Sequence, residues 1–439
     1  MIGSLGCILA IAFLIVVVFK GLHPLIVGIL ATLIVIVCNQ IPVWDTLLNG
    51  FSAGMTGFIK NYVILFLMGA LFGEFMSRSG FAKSIAYKMV DLFGKKSGIL
   101  IITVTTWILT YSGVSVFVVI FAIYPIALYV CQAGDVPRKL IPGIANLGAG
   151  TVTMTMLPGS PALTNVVPSN YLGTTIYAAP VLGIILGVVA AVLGLLYLTW
   201  QAKKWNANGD HFEPGPGDIV EPMTEESRKD CPPFIVAIVP VLLIFFGNLI
   251  LVKKGFNSTF AVCISLCLGV LYTIAISWNK IQNKDKVKGM NTAAGNALVA
   301  ITNSAAIVGF AGAVKLAPAF NGFLDFATHI GGTPLLSAVL AMDIICAITA
   351  SSSGGIQIWC EMLGQHFLEM GVNAQQLHRL VTVAAGTLDS LPQAGPNLTF
   401  MAVCKCSFRE GYPPVFVITC IIPLICQFLG LALAGLGIC

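Results

Sequence analysis

Apolar stretches recur along the whole chain and are separated by short polar segments. A bilayer core of about 30 Å needs roughly 20 helical residues per crossing, so each stretch predicts a membrane-spanning helix. The pattern therefore predicts an all-α, polytopic membrane protein. We expect ten spans, the fourth and ninth of them interrupted, at roughly residues 3–19, 24–42, 57–77, 139–172, 174–200, 233–252, 257–278, 291–315, 378–404 and 414–438.

Two further apolar segments are broken at their centres by polar residues. The first, about 98–130, contains "TYSGVSV" at 110–116, and the second, about 334–363, contains "TASSSGG" at 349–355. An apolar segment with a polar middle is typical of two half-length helices joined at a tip. We therefore predict two re-entrant helical hairpins, each of which enters and leaves by the same face of the membrane.

The composition excludes an ordinary soluble protein. The 439 residues are 57% hydrophobic and 9% charged, and the mean hydropathy of +0.93 is far above that of soluble globular chains. The 13 Cys residues are scattered and show neither a disulfide framework nor zinc-ligand spacing. We expect a lipid bilayer as the surroundings, and no metal site, cofactor or nucleic-acid partner.

The basic residues indicate the orientation, because cytoplasmic loops collect Lys and Arg. With both hairpins re-entrant and the N-terminus outside, most of the 23 Lys and Arg residues fall on the cytoplasmic side. If only one of the two hairpins spanned the membrane, the Lys and Arg residues would be divided less cleanly between its two sides. We expect a multi-pass protein of the cell (inner) membrane with both termini outside. The basic residues left outside are Lys60, Lys253, Lys254, Lys315 and Arg379.

Two segments are expected to lie at the inner surface. Residues 201–232 are polar, rich in Pro and Gly and too short for a catalytic domain, so they predict a cytoplasmic linker. Before the first hairpin, Phe81, Ile85, Met89 and Phe93 recur at four-residue spacing. This spacing predicts an amphipathic helix lying on the membrane.

The two halves of the chain have the same order of predicted elements. Residues 1–200 and 233–439 each run as three spans, a broken hairpin, an interrupted span and a last span. Five crossings are an odd number, so the second half would be upside down relative to the first, as in many transporters. The segments "TMTMLPGSPALTN" (153–165) and "TLDSLPQAGPNLT" (387–399) match when their Leu-Pro pairs are aligned. We predict two inverted-topology repeats with interrupted helices at the midplane.

The interruptions predict a cavity. Unpaired backbone groups in hydrocarbon cost several kcal/mol each, so a broken helix is tolerated only where protein, water or a ligand satisfies it. Pro158 and Pro392 end half-helices, and half-helix N-termini with Ser hydroxyls suit a carboxylate. We expect no Lys or Arg deep in a span, so amide and hydroxyl groups would hold the anion. The predicted substrate-binding residues are Ser112, Gly113, Ser115, Thr155, Gly159, Ser160, Asn165, Ser351, Ser352, Ser353, Gly354, Ser390, Gln393 and Asn397.

Two acidic residues in the apolar segments are candidates for ion coupling. An ionisable side chain at this depth costs roughly 2.5 kcal/mol or more and indicates function. Asp389 lies at the second break and could load a proton outside and release it inside. Asp343, eight residues before the tip at Ser351, is the second candidate. The alternative for either residue is a structural cap on a half-helix.

The chain resembles the gluconate permease (GntP-type) family of the ion transporter superfamily, in particular its hydroxybutyrate permease-like branch. The resemblance implies a proton-coupled importer of small organic acids and a homodimer in which a transport domain moves past a scaffold, as in an elevator. Relatives commonly continue "LDSLP" with His-Asn-Gly, whereas this chain has Gln393, Ala394 and Gly395, so that titratable ring is absent. The segments that carry the resemblance are "YSGVSVFVVIFAIYP", "PRKLIPG", "MTMLPGSPALTNVVPSNYLGTT", "ITASSSGG" and "LHRLVTVAAGTLDSLPQAGPN".

The function we expect is secondary transport of a small (hydroxy)carboxylate by proton symport. A sodium-coupled symporter differs only in the ion, since helix-end carbonyls and Ser or Asn side chains could equally hold Na⁺. An intramembrane aspartyl enzyme would need Asp343 and Asp389 to share a proton, and neither lies in the "GxGD" context of such proteases. A channel fits less well than a carrier, because an inverted repeat with closed hairpin tips favours alternating access.

Overall fold

A computed structural model describes residues 2–111, 113–256, 258–278, 281, 283–320, 322 and 332–439. Every regular element within these residues is a helix, as the apolar pattern predicts. The helices of the first half are α1 (Ile2–Phe19), α2 (Pro24–Asn39), α3 (Val43–Arg78), α4 (Phe81–Phe93), α5 (Gly98–Tyr111), α6 (Val116–Gly134), α7 (Ile141–Asn146 with its π-helical continuation Leu147–Met156), α8 (Leu163–Tyr171) and α9 (Pro180–Ala207).

The described elements of the second half are helices as well. Between the halves, residues 208–233 contain the short helix Glu225–Lys229, and we call this segment the strap. The helices of the second half are α10 (Phe234–Lys253), α11 (Ser258–Ser277), α12 (Asn283–Leu316), α13 (Pro334–Thr349), α14 (Ser352–Trp359, continued by Cys360–Gly364 and Gln365–Glu369), α15 (Ala374–Ala384), α16 (Gly395–Val403) and α17 (Phe408–Gly435).

Seven helices in the described part of the chain are long and apolar enough to cross a membrane, namely α1, α3, α9, α10, α11, α12 and α17. The number rises to eight if α4 and the segment Lys95–Tyr111, which meet at 111°, are counted as one span. The three other expected spans correspond to the shorter α2 and to the two interrupted spans, α7–α8 and α15–α16. The protein is therefore a polytopic helical membrane protein.

The predicted interruptions are present. A non-helical segment containing Pro158 separates α7 from α8, and one containing Pro392 separates α15 from α16. A proline disfavours helical backbone in the residue before it, which fits the extended Leu157 (ψ 136°) directly after α7. The helix α15 already ends at Ala384, and Pro392 lies within the non-helical segment that follows. The chain also turns between α5 and α6 at Gly113 (φ 98°) and between α13 and α14 at Ala350 (φ 49°). Both polar tips are thus turns between helices.

The helices α3 and α12 pack closely through glycines. A Cβ atom added at Gly50 would lie 2.8 Å from the Cα of Ala313, and one added at Gly309 would lie 2.6 Å from the carbonyl oxygen of Phe51. Small residues let helix backbones approach in a membrane, where packing drives association. The pair α3 and α12 forms one wall of a seam, and the opposite wall is formed by α6 and α16.

Candidate functional site

A cavity of about 570 Å³ lies at one end of this seam. The first hairpin contributes residues 113–117 to its wall and the second hairpin contributes residues 349–354. The second break adds Asp389 and Ser390. A volume of this size lies within the range of about 300–1,000 Å³ that small-molecule sites occupy. The hairpin tips and a broken helix therefore meet at a space that can hold a small solute.

Part of the predicted site lies on this wall. Ser112 falls outside the described residues. The predicted residues that line the cavity are Gly113, Ser115, Ser351, Ser352, Ser353, Gly354, Ser390 and Asp389. Those that lie elsewhere are Thr155, Gly159, Ser160, Asn165, Gln393, Asn397 and Asp343.

Asp389 lies against the start of α14. Its carboxylate accepts a hydrogen bond of 2.8 Å from the Ser390 hydroxyl and interacts with the hydroxyl and the backbone N–H of Ser352. Ser351 caps the same helix, because its side chain accepts a hydrogen bond of 3.1 Å from the Gly354 N–H. An anionic group at a helix N-terminus is stabilised by the helix dipole and the free N–H groups. The second hairpin tip therefore presents helix N-terminal donors beside Asp389.

Side chains of α8 and α15 stabilise the first break through hydrogen bonds. Asn165 donates from Nδ2 to the carbonyl oxygens of Ser160 (2.9 Å) and Ile176 (2.8 Å), and its Oδ1 lies 3.2 Å from Nε2 of His378. Arg379 is fully buried and donates 2.9 and 3.1 Å hydrogen bonds to the Ala178 carbonyl. Asn165 thus satisfies one carbonyl of the break, and both residues bind carbonyls of the segment before α9, which itself bonds to the break through Gly159 N–H and the Ile176 carbonyl.

The burial of Arg379 corrects a sequence-based expectation. The charge pattern grouped this residue with the outer loops, but its side chain is among the largest fully buried ones in the structure. Its guanidinium also reaches the carbonyls of Leu157 (3.5 Å) and Ile176 (3.4 Å) at the break. A buried guanidinium requires such acceptors because leaving it unpaired would be costly.

At the second break, side-chain amides again donate hydrogen bonds to backbone carbonyls. Asn397 donates to the carbonyls of Ser390 (2.7 Å) and Leu391 (3.2 Å). Gln393 donates to the carbonyl of Ala347 on the second hairpin at 3.2 Å. Asn397 thus stabilises the non-helical backbone of the break, and Gln393 links this backbone to α13 by a hydrogen bond.

Asp343 lies in a separate buried cluster. Its carboxylate accepts hydrogen bonds from the Thr387 hydroxyl and, at 2.6 Å, from Nε2 of Gln427. Gln427 is fully buried and its Oε1 has no hydrogen-bond partner within the described residues. The cluster joins α13, the second break and α17, outside the cavity wall.

Sequence reasoning missed Lys315, which lines the cavity. The sequence predicts that amide and hydroxyl groups hold a carboxylate, and Lys315 adds a positive charge to the same wall. Within the described residues no acidic side chain forms an ion pair with it. The helical spacing of Val308, Ala311, Gly312 and Lys315 places them on one face of α12, but only the packing of the helix shows that this face lines the cavity.

The cavity also has an aromatic wall that the sequence did not single out. The Phe58 and Tyr62 ring centroids of α3 lie 4.8 Å apart. The Phe117 ring of the first hairpin lies 5.4 Å from Phe58 and 5.6 Å from Tyr62. These residues give the polar tips an apolar opposite face, as small-molecule sites commonly have.

A family comparison decides the identity of the chain. The profile of the GntP family permeases matches residues 4–355, most of the sequence. The chain belongs to the GntP permease family. As a GntP permease it is a multi-pass membrane transporter and not an enzyme.

Individual GntP permeases are similar over most of their length. An uncharacterized transporter, YxjC of Bacillus subtilis (strain 168), is 34% identical over 405 residues, which cover 84% of this chain and 86% of that protein. A gluconate permease of Bacillus licheniformis is 24% identical over 332 residues, 72% of each chain. The gluconate permease of Bacillus subtilis (strain 168) is 25% identical over 338 residues, again 72% of each chain.

Proposed function

We propose that this permease imports a small hydroxycarboxylate together with a proton. The observation that carries the proposal is the contact of Asp389 with the N-terminal end of α14 at Ser352, on the wall of the cavity. Gluconate, named for two relatives, is a member of this substrate class. Hydroxyl groups on the acid would find Ser115, Ser353 and Ser390 on the same wall.

Proton coupling follows from competition for the same donors. While Asp389 is ionised, it engages the Ser352 hydroxyl and N–H, and a second anion there would be repelled. Protonation removes this charge, so the donors can turn to the carboxylate of the substrate. Proton and substrate then bind together, and each raises the affinity for the other by the same factor, as linkage requires.

Lys315 supplies the second electrostatic element. It lies at the end of α12 and is partly exposed, so it can draw an anion towards the cavity. With Asp389 protonated, the ionised side chain on the cavity wall is Lys315, and one substrate carboxylate balances it. The site is thereby matched to a solute with a single negative charge.

The remaining architecture is part of the same proposal. The chain would form ten spans and two re-entrant hairpins in two inverted repeats, with both termini outside the inner membrane. In this arrangement α3 and α12 belong to a scaffold, and the hairpins and broken helices move past it as an elevator in a homodimer. The matching order of elements in the two halves supports this description.

Sodium coupling is a second candidate, and the cluster around Asp343 favours it. A carboxylate, the Thr387 hydroxyl and the unpartnered oxygen of Gln427 are oxygen ligands of the type that hard cations prefer. In the sodium version Asp343 would be the coupling residue in place of Asp389.

Transport assays in proteoliposomes test the proposal. The purified protein is reconstituted, and uptake of labelled gluconate and shorter hydroxy acids is measured with an inward proton gradient, an inward sodium gradient, or neither. We expect concentrative uptake of at least one acid with the proton gradient alone. Uptake driven only by the sodium gradient would replace H⁺ by Na⁺, and transport of neutral sugars in preference to acids would reject the substrate class.

A further inference from the structure

The seam between α3/α12 and α6/α16 has a second, smaller cavity at the end away from the substrate cavity. This space of about 70 Å³ is lined by Ala70 and Ser77 of α3, Tyr124 of α6 and Asn296 of α12. The two sets of lining residues are displaced along the helices: on α3 the large cavity takes Gly54 to Leu65 and the small one Ala70 to Ser77, and on α6 Phe117 and Phe121 lie about one turn apart. The two cavities therefore follow one another along the same helices.

The strap covers the small end. Its residues Gly217 to Ile219 form part of the wall of the small cavity. Asp218 is its central anchor: the carboxylate accepts 2.7 Å hydrogen bonds from the Tyr124 hydroxyl and from the Gly215 N–H, and it pairs with Nζ of Lys405 at 2.6 Å. Only 4% of the Asp218 side chain is exposed. A charge buried this deeply and fully paired is costly to strip of its partners.

On either side of Asp218 the strap is fixed to other elements. Upstream, the Phe212 N–H and the His211 ring bind the carboxylate of Asp135 and hold its pKa below the ordinary value. Downstream, Lys83 of α4 pairs with Glu221 at 2.6 Å. The linker predicted at 201–232 is thus ordered against the helices along its length.

We propose that the strap is the gate at the second end of the transport path and that Asp218 is its latch. In the present conformation the strap covers the end of the seam that holds the small cavity. For the solute to leave at the strap end, which the charge pattern predicts to be cytoplasmic, Asp218 must release Tyr124 and Lys405. The inference rests on the proposed alternating access, but it is independent of the substrate and of the coupling ion.

The reactivity of the native Cys404 thiol can report the opening of the strap end of the seam. It is fully buried between Val403 and Lys405, two residues that line the small cavity. Alkylation of a buried group tracks the population of the open form. We expect Asp218→Asn to raise the rate of Cys404 alkylation by N-ethylmaleimide several-fold, as measured by peptide mass spectrometry. The matched control is Glu213→Gln, which removes a negative charge at an exposed strap residue, and it should leave Cys404 labelling unchanged.

A reversible cross-link provides the second test. A Cβ atom added at Gly215 would lie 3.1 Å from the Cβ of Lys405, close to the separation of about 3.5–4.5 Å in disulfides. The double variant Gly215→Cys/Lys405→Cys also removes the Lys405–Asp218 ion pair, so its reduced form is the reference, and its disulfide should fix the strap over the small cavity in place of that pair. We expect oxidation to abolish transport in proteoliposomes and a reductant to restore it.

The outcomes separate the latch from the proposed function. Equal Cys404 labelling in Asp218→Asn and the unaltered protein, or full transport by the cross-linked protein, would overturn the latch. If labelling rises in Asp218→Asn but no hydroxy acid is taken up by the unaltered protein, the latch stands and the substrate proposal fails.

Discussion

The carboxylate of Asp389 interacts with the hydroxyl and the backbone N–H of Ser352, so a residue of the second helix break meets the first turn of α14. The two residues come from different elements and share the wall of one cavity. Their contact places the ionisable Asp389 carboxyl beside the hydroxyl and N–H donors that best suit an anionic solute. The predictions for Asp389 and Ser352 depend on this arrangement.

Asp389→Asn is expected to uncouple transport. The amide cannot release a proton, so the variant is fixed in a neutral state equivalent to the proton-loaded site. Uptake driven by a proton gradient should be lost, exchange of internal for external substrate should remain, and substrate affinity should no longer vary with pH. The measurement is gradient-driven uptake beside counterflow in proteoliposomes.

The comparison variant is Asp343→Asn, because Asp343 is also buried but lies outside the cavity wall. We expect it to keep proton-driven uptake. Loss of coupling in Asp343→Asn with normal coupling in Asp389→Asn would exchange the roles of the two residues.

Ser352→Ala is expected to weaken substrate binding without uncoupling transport. The substitution removes one hydroxyl donor, and hydrogen bonds to charged groups are worth about 1.5–3 kcal/mol, so Kd should rise about tenfold or more. Binding can be measured by thermal shift or calorimetry in detergent. Ser97→Ala is the control, because the Ser97 hydroxyl is bound to the Phe93 carbonyl away from the cavity; an equal loss of affinity there would contradict the assignment.

Lys315→Gln is expected to raise KM for an anionic substrate by about three- to tenfold, since a partly solvated charge pair contributes modestly. Lys315→Arg should keep most of the affinity, and the difference between Lys315→Gln and the unaltered protein should shrink at high ionic strength because salt screens exposed charges. Lys60→Gln, which also removes a positive charge but outside the cavity wall, is the matched control. A KM in Lys315→Gln equal to that of the control would remove Lys315 from the site.

Gly159→Ala is expected to destabilise the first break. Gly159 has φ +78°, and a Cβ atom there would lie 2.6 Å from Cε1 of Tyr177 and 2.7 Å from the Tyr111 hydroxyl oxygen. Backbone strain of about 1 kcal/mol would add to an overpacking cost of about 1–3 kcal/mol. Gly173→Ala is the control, since Gly173 has φ +64° and no atom lies within 4 Å of the added Cβ. Tm in detergent should fall further for Gly159→Ala than for Gly173→Ala. Equal falls would mean that backbone strain alone destabilises both variants and that overpacking at Gly159 contributes nothing.

Local signals in the sequence determined the helices and their breaks. The apolar runs predict most of the spans, and Pro158 and Pro392 lie in the predicted gaps because proline disrupts the helix in which it occurs. The polar tips at Gly113 and Ala350 were predicted for the same reason: turn chemistry is a property of the few residues that form the turn. The quoted motifs also led to the correct family.

Tertiary structure decided which polar side chains face the cavity. Ser160 and Asn165 belong to a predicted motif, yet they bind the backbone of the break: Ser160 accepts from the Ala162 N–H and Asn165 donates to the Ser160 carbonyl. Freed backbone groups compete with a ligand for the nearest polar side chains. Lys315 faces the cavity through the rotation and packing of α12, and Asp218 finds Tyr124 and Lys405 from elsewhere in the chain. Breaking a helix depends on adjacent residues, so the sequence alone determines it; the direction of a side chain depends on distant packing partners, so only the folded structure does.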